Sequence, residues 1–202
     1  MKMFLRNTSR FQRSLLLIAL VFIPSLAQAH PGHFGHTAGW ANGLMHPVSG
    51  LDHICAMIAV GLWAAQRGGR AIWIVPLTFV SVMALGGLLG MNGVRVPLAE
   101  QGIAASVLVL GLLIAAAVRL PLAASVLVVG IFAVFHGYAH GAEMPSTASG
   151  LTYGLGFLVA TASLHLCGIS TGLLTQRWDS TRLVRHAGVI IAAFGLYLFC
   201  SV

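Results

Sequence analysis

Six long apolar stretches, separated by short loops, constrain this 202-residue chain more than any other feature of its sequence. Each is close to the ~20 residues that a helix needs to cross a bilayer. Only 7% of the residues are charged, against roughly 25% in an ordinary soluble domain. The sequence therefore predicts an all-α integral membrane protein with six transmembrane helices, over residues 40–65, 71–91, 102–118, 121–141, 148–174 and 184–201.

The first 29 residues have the pattern of a cleavable signal peptide. Four basic residues precede an apolar core from Leu15 to Ile23, and Ala27-Gln28-Ala29 supplies small residues at the cleavage point. An uncleaved signal anchor is the alternative, but the apolar core is shorter than the ~20 residues of a span. We therefore expect a mature membrane domain over residues 30–202.

Three histidines lie at the start of the mature chain, at His30, His33 and His36. Pro31 has no amide proton, so a metal cannot bind there through successive deprotonated backbone amides. The imidazoles and the terminal amine remain as donors. We expect residues 30–39 to form a periplasmic arm that collects metal ions; the alternative is a polar tail in which the histidines are incidental.

The loop charges predict how the chain crosses the membrane. The loops after the first, third and fifth stretches contain Arg67, Arg70, Arg119, Arg177, Arg182 and Arg185, whereas the remaining loops contain only Arg95. Basic loops stay in the cytoplasm, so the mature N-terminus is predicted to be periplasmic and the membrane to be the bacterial inner membrane. The same distribution excludes a phosphate-binding patch, and we expect no nucleic-acid partner despite the net charge of +7.

The first apolar stretch contains three side chains that could bind a metal, His46, Asp52 and His53. Ionisable groups are expensive within a membrane and usually serve a function there. If the stretch is one helix, the two histidines share a face, two turns apart. Asp52 could ligate a metal or orient an imidazole. Met57 lies one turn further along, where core packing is the more typical role of a methionine.

The end of the fourth stretch contains His136, His140 and Glu143 at i, i+4 and i+7, which places all three on one helix face. Two imidazoles and a carboxylate suit nickel, cobalt, zinc or iron. Because the first stretch runs inward and the fourth outward, both motifs fall in the outer half of the membrane. They could build one metal site or two consecutive sites.

Two further features concern the interior of the bundle. His165 and Cys167 lie late in the fifth stretch and could form an inner relay point, although one imidazole and one thiol are a small ligand set. The pairs Gly86/Gly90 and Gly150/Gly154 place small residues four apart, which allows close helix contact. Such pairs permit a homo-oligomer without requiring one.

The two polar motifs together resemble the HupE/UreJ family of nickel permeases. They read His46-x5-Asp52-His53 and Phe135-His136-Gly137-x-Ala139-His140-Gly141-x-Glu143, and the second is the more specific. The resemblance covers essentially the whole mature chain. It implies that His46, Asp52, His53, His136, His140 and Glu143 carry metal recognition and passage. It also implies supply of nickel, or of cobalt in some members, to hydrogenase or urease, with cytoplasmic nickel chaperones or maturation proteins as partners.

The sequence and this resemblance predict a secondary permease, not an enzyme. It would transport Ni²⁺ or Co²⁺ as its substrate. It would lie in the lipid bilayer and would need no prosthetic group. The sequence contains no Walker-type phosphate loop, so ATP hydrolysis is not expected. The alternative is an intramembrane zinc-dependent hydrolase that uses the same His/Asp cluster to activate water. A third functional alternative is a protein that binds haem through two histidines.

Overall fold

The computed structural model describes residues 38–144 and 149–202, and the regular elements within them are α-helices. In chain order they are α1 (Ala38–Ser49), α2 (Leu51–Arg67), α3 (Ala71–Met91), α4 (Ala99–Ala115), α5 (Leu122–Ala142), α6 (Gly150–Arg177) and α7 (Thr181–Ser201). The predicted signal peptide over residues 1–29 lies outside the described residues. So do His30, His33 and His36 of the predicted arm.

The helices follow the six apolar stretches of the sequence. Among the described residues, α3, α5, α6 and α7 are each long and apolar enough to cross a membrane, and α1 with α2 could form a fifth span. α4 has 17 residues, or about 25 Å, which is the lower limit for a span. The chain is therefore a multi-pass helical membrane protein, while the count of six crossings stays a prediction.

The first apolar stretch is not the single helix that residues 40–65 predicted. α1 and α2 meet at a bend of 82°, and Gly50 between them is extended. Pro47 contributes to the break because it has no amide proton for the helical ladder. Ser49 Oγ donates to the His46 carbonyl at 2.6 Å, which satisfies one carbonyl at the end of α1. The argument that His46 and His53 share one helix face was therefore wrong.

Glycines bring α3 and α5 into close contact. A Cβ at Gly86 would meet the Val134 carbonyl, and one at Gly90 would meet the backbone of α5 at Ala142. This confirms the packing role predicted for the Gly86/Gly90 pair. Gly154 differs, because a Cβ there would meet no atom within 4 Å, so close helix contact was the wrong prediction at that position.

The buried core lies between the helices and is mainly apolar. It includes Trp63, Phe79, Leu110 and Met57, all fully buried. The burial of Met57 among these residues confirms that it packs in the core.

One end of the bundle is joined by side chains that donate to backbone carbonyls. The bonds run from Trp63 Nε1 to Val118 (3.0 Å), from Arg67 Nε to Leu120 (2.6 Å) and from Arg185 Nε to Ala115 (2.9 Å). These contacts place the arginine-bearing loops at the same end, as the positive-inside prediction requires. We call this the arginine-rich end; which side of the membrane it faces stays a prediction.

Candidate metal centre

His46, His140 and Glu143 come together at the opposite end of the bundle. His46 lies in the last turn of α1, His140 in the last turn of α5, and Glu143 directly after α5. One potential ligand atom from each lies within 4.8 Å of the other two. His46 Nε2 is 2.9 Å from Glu143 Oε2. We call these three residues the outer cluster, and their donor set suits a borderline divalent metal.

Asp52 lies beside His53 at the start of α2. The Asp52 Oδ1 atom is 2.9 Å from His53 Nδ1. A carboxylate has no proton to donate, so it favours the tautomer with the proton on Nδ1. His53 Nε2 is then the nitrogen left for a ligand, and this atom is buried without a hydrogen-bond partner. Of the two roles that the sequence left open for Asp52, the geometry favours orienting an imidazole.

Four imidazoles follow one another as a row, His46, His140, His53 and His136. Successive ring centroids lie 4.7, 4.3 and 4.9 Å apart. With metal–nitrogen bonds of ~2.1 Å, two imidazoles on one metal have centroids about 4.5–5.2 Å apart at bond angles of about 90–109°. The spacings of 4.7 and 4.9 Å lie within this range, and that of 4.3 Å lies just below it. The ring spacing is thus compatible with shared metal ions, and within the described residues three ligand atoms converge to within 4.8 Å at His46, His140 and Glu143.

Exposure along this row of ligands is highest at Glu143 and His46. The side chains of Glu143 and His46 are 63% and 27% exposed, and that of His53 is 13% exposed. His140 and His136 are buried. The row is thus open to its surroundings at the outer cluster and closed at His136.

Several buried imidazole nitrogens have no hydrogen-bond partner within the described residues. They are Nε2 of His53, Nδ1 of His136, and both ring nitrogens of His140 and His165. An unsatisfied buried polar group costs about 1–3 kcal/mol, so packing alone does not explain a cluster of them. A neutral imidazole has a free lone pair on one of its two nitrogens, which is the donor that a metal ion would use. The residues present therefore fit such an ion.

Comparison with known proteins assigns the family. A family model described as "HupE / UreJ protein" matches residues 18–198. Protein HupE of Rhizobium leguminosarum bv. viciae is 46% identical over 191 residues, which cover 94% of this chain and 98% of that protein. The chain belongs to the HupE/UreJ family. This family is related to nickel and cobalt transport for hydrogenase and urease.

Family membership confirms the resemblance that the two motifs indicated. It gives no support to the alternative of an intramembrane zinc-dependent hydrolase. No solved structure matches this HupE/UreJ chain. The site is therefore interpreted from its own geometry.

The glycines of the second HupE/UreJ motif explain how its histidines become buried. A Cβ at Gly137 would meet the Met83 carbonyl, and one at Gly141 would meet the Gly87 carbonyl. This face of α5 thus lies directly against α3. His136 and His140 each precede one of these glycines, about 100° around the helix. His136 contacts His53 on α2 and Ser106 on α4. His140 contacts His53 on α2 and Phe157 on α6.

His165 lies outside the row of four imidazoles. It is buried on α6, and the Phe79 ring of α3 contacts both it and His136, with centroid distances of 5.1 Å to His165 and 5.6 Å to His136. Cys167 is two residues further along α6, which turns it about 200° away from His165. It is also only partly buried. The geometry therefore does not support His165 and Cys167 as one ligand set.

Three residues near the histidines were not predicted from the sequence. Ser106 Oγ on α4 lies 2.8 Å from His136 Nε2. On α6, the Phe157 ring centroid is 4.1 Å from that of His140, and the Tyr153 ring is 5.9 Å from His46. Serine and aromatic residues are common in membrane helices, so no signal in the single sequence distinguishes these three from their neighbours.

A cavity of about 420 Å³ lies beside His140, between α3, α5 and α6. Its lining consists mainly of glycines and of aliphatic, aromatic and methionine side chains, with His140 as the imidazole that reaches it. A desolvated cation needs oxygen, nitrogen or sulfur ligands in close array. The row of imidazoles supplies them and this cavity largely does not.

Proposed function

We propose that this HupE/UreJ chain is a secondary permease that carries divalent nickel, or cobalt, from the periplasm to the cytoplasm. The supporting observation is the row of ligands that begins at exposed Glu143 and ends at buried His136, with free nitrogens along its length. A row of this kind can strip water from an ion in steps. Membership of a family related to nickel and cobalt transport supports the choice of metal.

In this proposal the predicted arm, with His30, His33 and His36, collects the ion outside. The outer cluster then receives it, and Glu143 offsets part of its charge as water is lost. The next site would use His53 Nε2 and His136 Nδ1, with His140 shared between the two sites. Successive sites of moderate strength allow release, which a single very tight site would prevent.

His165 is proposed as the last ligand before the arginine-rich end. Its buried ring nitrogens have no protein partner, and it lies one aromatic ring beyond His136. The Phe79 ring would have to move for an ion to pass from one imidazole to the other. Release would then deliver the metal to cytoplasmic chaperones or to maturation proteins for hydrogenase or urease.

The membrane potential can drive this transport. It supplies about 2.3 kcal/mol per charge per 100 mV, hence about 4.6 kcal/mol for a divalent ion, or a roughly thousandfold accumulation. No second coupled ion is then needed. Protons compete with a metal for imidazoles, so acidification of the external medium should lower uptake.

The test is uptake of radioactive nickel into proteoliposomes that contain the purified protein, under an imposed inside-negative potential. We expect potential-dependent accumulation in the wild type and none in His140→Ala, with cobalt and zinc as competitors to rank the metals. Met57→Leu is the matched control, because Met57 is equally buried but packs in the core. Absence of uptake, together with stoichiometric zinc and hydrolysis of a labelled lipid, would overturn the permease.

A further inference from the structure

Ser106 makes two short contacts through one hydroxyl group. It is fully buried on α4. Its Oγ lies 2.6 Å from the Ile103 carbonyl oxygen and 2.8 Å from His136 Nε2. A hydroxyl has a single proton, so it can donate in only one of these contacts.

The Ser106 hydroxyl donates its proton to the Ile103 carbonyl oxygen. A carbonyl oxygen can only accept, and two oxygens 2.6 Å apart would repel each other without a proton between them. Serine in a helix commonly donates to a carbonyl one turn back in this way. Ser106 Oγ must therefore accept at His136, and Nε2 of that imidazole must carry the proton.

This arrangement determines the free nitrogen of His136. A neutral imidazole has one N–H, so the lone pair lies on Nδ1, the buried atom that has no hydrogen-bond partner within the described residues. His53 has the opposite tautomer, since Asp52 favours the proton on Nδ1 and leaves Nε2 free. Partners from α4 and α2 thus leave one free nitrogen on each of two rings whose centroids are 4.9 Å apart.

We propose that Ser106 is a positioning residue that holds His136 in the Nε2–H tautomer and thereby selects Nδ1 as its metal-binding nitrogen. The role in metal binding rests on the proposed function. Without the Ser106 oxygen, the imidazole would exchange between tautomers, and part of the protein would present an N–H to the ion. The same partner also fixes the ring orientation and raises the basicity of the ligating nitrogen, and partners of this kind typically contribute about tenfold to a hundredfold in metal affinity in total.

The first measurement needs no metal. Nitrogen NMR of the full-length protein, labelled with ¹⁵N-histidine in detergent micelles, would report the tautomer, with the His136 signals identified by their loss in His136→Gln. We expect the Nε2–H form in the wild type and a mixture of both forms in Ser106→Ala. An Nδ1–H form in the wild type would overturn the proposal.

The second measurement is nickel affinity by titration calorimetry. Ser106→Ala should bind about tenfold to a hundredfold more weakly, and Ser106→Thr, which keeps the hydroxyl, should restore most of the affinity. Ser125→Ala is the matched control, because Ser125 is equally buried and donates to the Pro121 carbonyl at 3.1 Å without bonding an imidazole. Wild-type affinity in Ser106→Ala would overturn the proposal.

The two measurements separate this proposal from the proposed function. A wild type that has the Nε2–H tautomer but binds no nickel would refute the permease and the metal role of Ser106 together, and leave only its structural contact. A wild type that transports nickel with the Nδ1–H tautomer would refute the role of Ser106 alone. If Ser106→Ala does not fold, the proposal is still tested by the other two results. An Nδ1–H tautomer in the wild type, or loss of nickel affinity in Ser106→Thr, would overturn it.

Discussion

The two ends of the bundle differ in how most of their buried polar groups are paired, although Gln66 Oε1 at the arginine-rich end also has no partner within the described residues. At the arginine-rich end, Trp63 and Arg67 donate to carbonyls of the loop after α4. At the other end, the nitrogens of His140 and one nitrogen each of His53 and His136 have no partner within the described residues. Polar groups that are satisfied inside the protein hold helices together, whereas unsatisfied ones are available to a ligand. The hydrogen-bonded side chains therefore have a structural role, whereas the unpaired imidazole nitrogens are candidates for ligand binding.

After the complete loss of uptake expected for His140→Ala, the largest effect is expected at the carboxylates of the histidine end. Asp52→Asn should reduce the initial rate of nickel uptake by about tenfold to a hundredfold, since a charge-assisted hydrogen bond contributes about 1.5–3 kcal/mol. Glu143→Gln should reduce this rate by less, because the Glu143 side chain is 63% exposed and its charge is screened by solvent. Met57→Leu should transport at nearly the normal rate. Uptake assays in proteoliposomes measure all three, and equal rates among them would count against the pathway.

A smaller effect is expected beyond the row, at His165. His165→Gln should slow uptake by about tenfold, because one ligand is lost from a path of several. Nickel affinity measured by calorimetry should stay near that of the wild type, since the outer cluster is intact. Normal uptake would remove His165 from the path, and lost affinity would instead make it part of the main site.

A still smaller effect is expected where α1 meets α2. A Cβ at Gly50 would approach Asp52 Oδ1 and lie 3.2 Å from His53 Nδ1, so Gly50→Ala should displace this pair. We expect uptake to fall by about threefold to tenfold, less than on loss of the carboxylate itself. Gly130→Ala is the control, because the nearest atom to its Cβ would be 3.9 Å away. Equal uptake in both variants would show that the pair tolerates the added methyl group.

The smallest effect on metal handling is expected at the arginine-rich end. Trp63→Phe removes the donor to the Val118 carbonyl, which should lower the melting temperature in detergent by a few degrees, for a loss of about 1–2 kcal/mol. Nickel affinity should not change. Trp73→Phe, at a position that is 67% exposed, should alter neither quantity. A change in nickel affinity on Trp63→Phe would contradict the expectation that the arginine-rich end affects stability but not metal binding.

Local features of the sequence predicted the helices well. Residues 71–91 were predicted as a span, and α3 runs from Ala71 to Met91. Apolar length is a property of a continuous segment, so it can be read without knowledge of neighbouring helices. The break at Gly50 was missed although its signals, Pro47 and Gly50, are also local. The seven-residue spacing of His46 and His53 had been interpreted as evidence that both lie on one face of a single helix.

The sequence by itself determined the family, the apolar segments and which side chains could bind a metal, because these depend on residue type and spacing along the chain. Only the tertiary structure decided how they meet. His46 and Glu143 are 97 positions apart yet in contact, and Ser106 reaches His136 from another helix. Such contacts depend on the bend between α1 and α2 and on glycine packing between helices. The bend has local signals, but the glycine packing arises from contacts between helices that are distant in sequence, and no single segment encodes these.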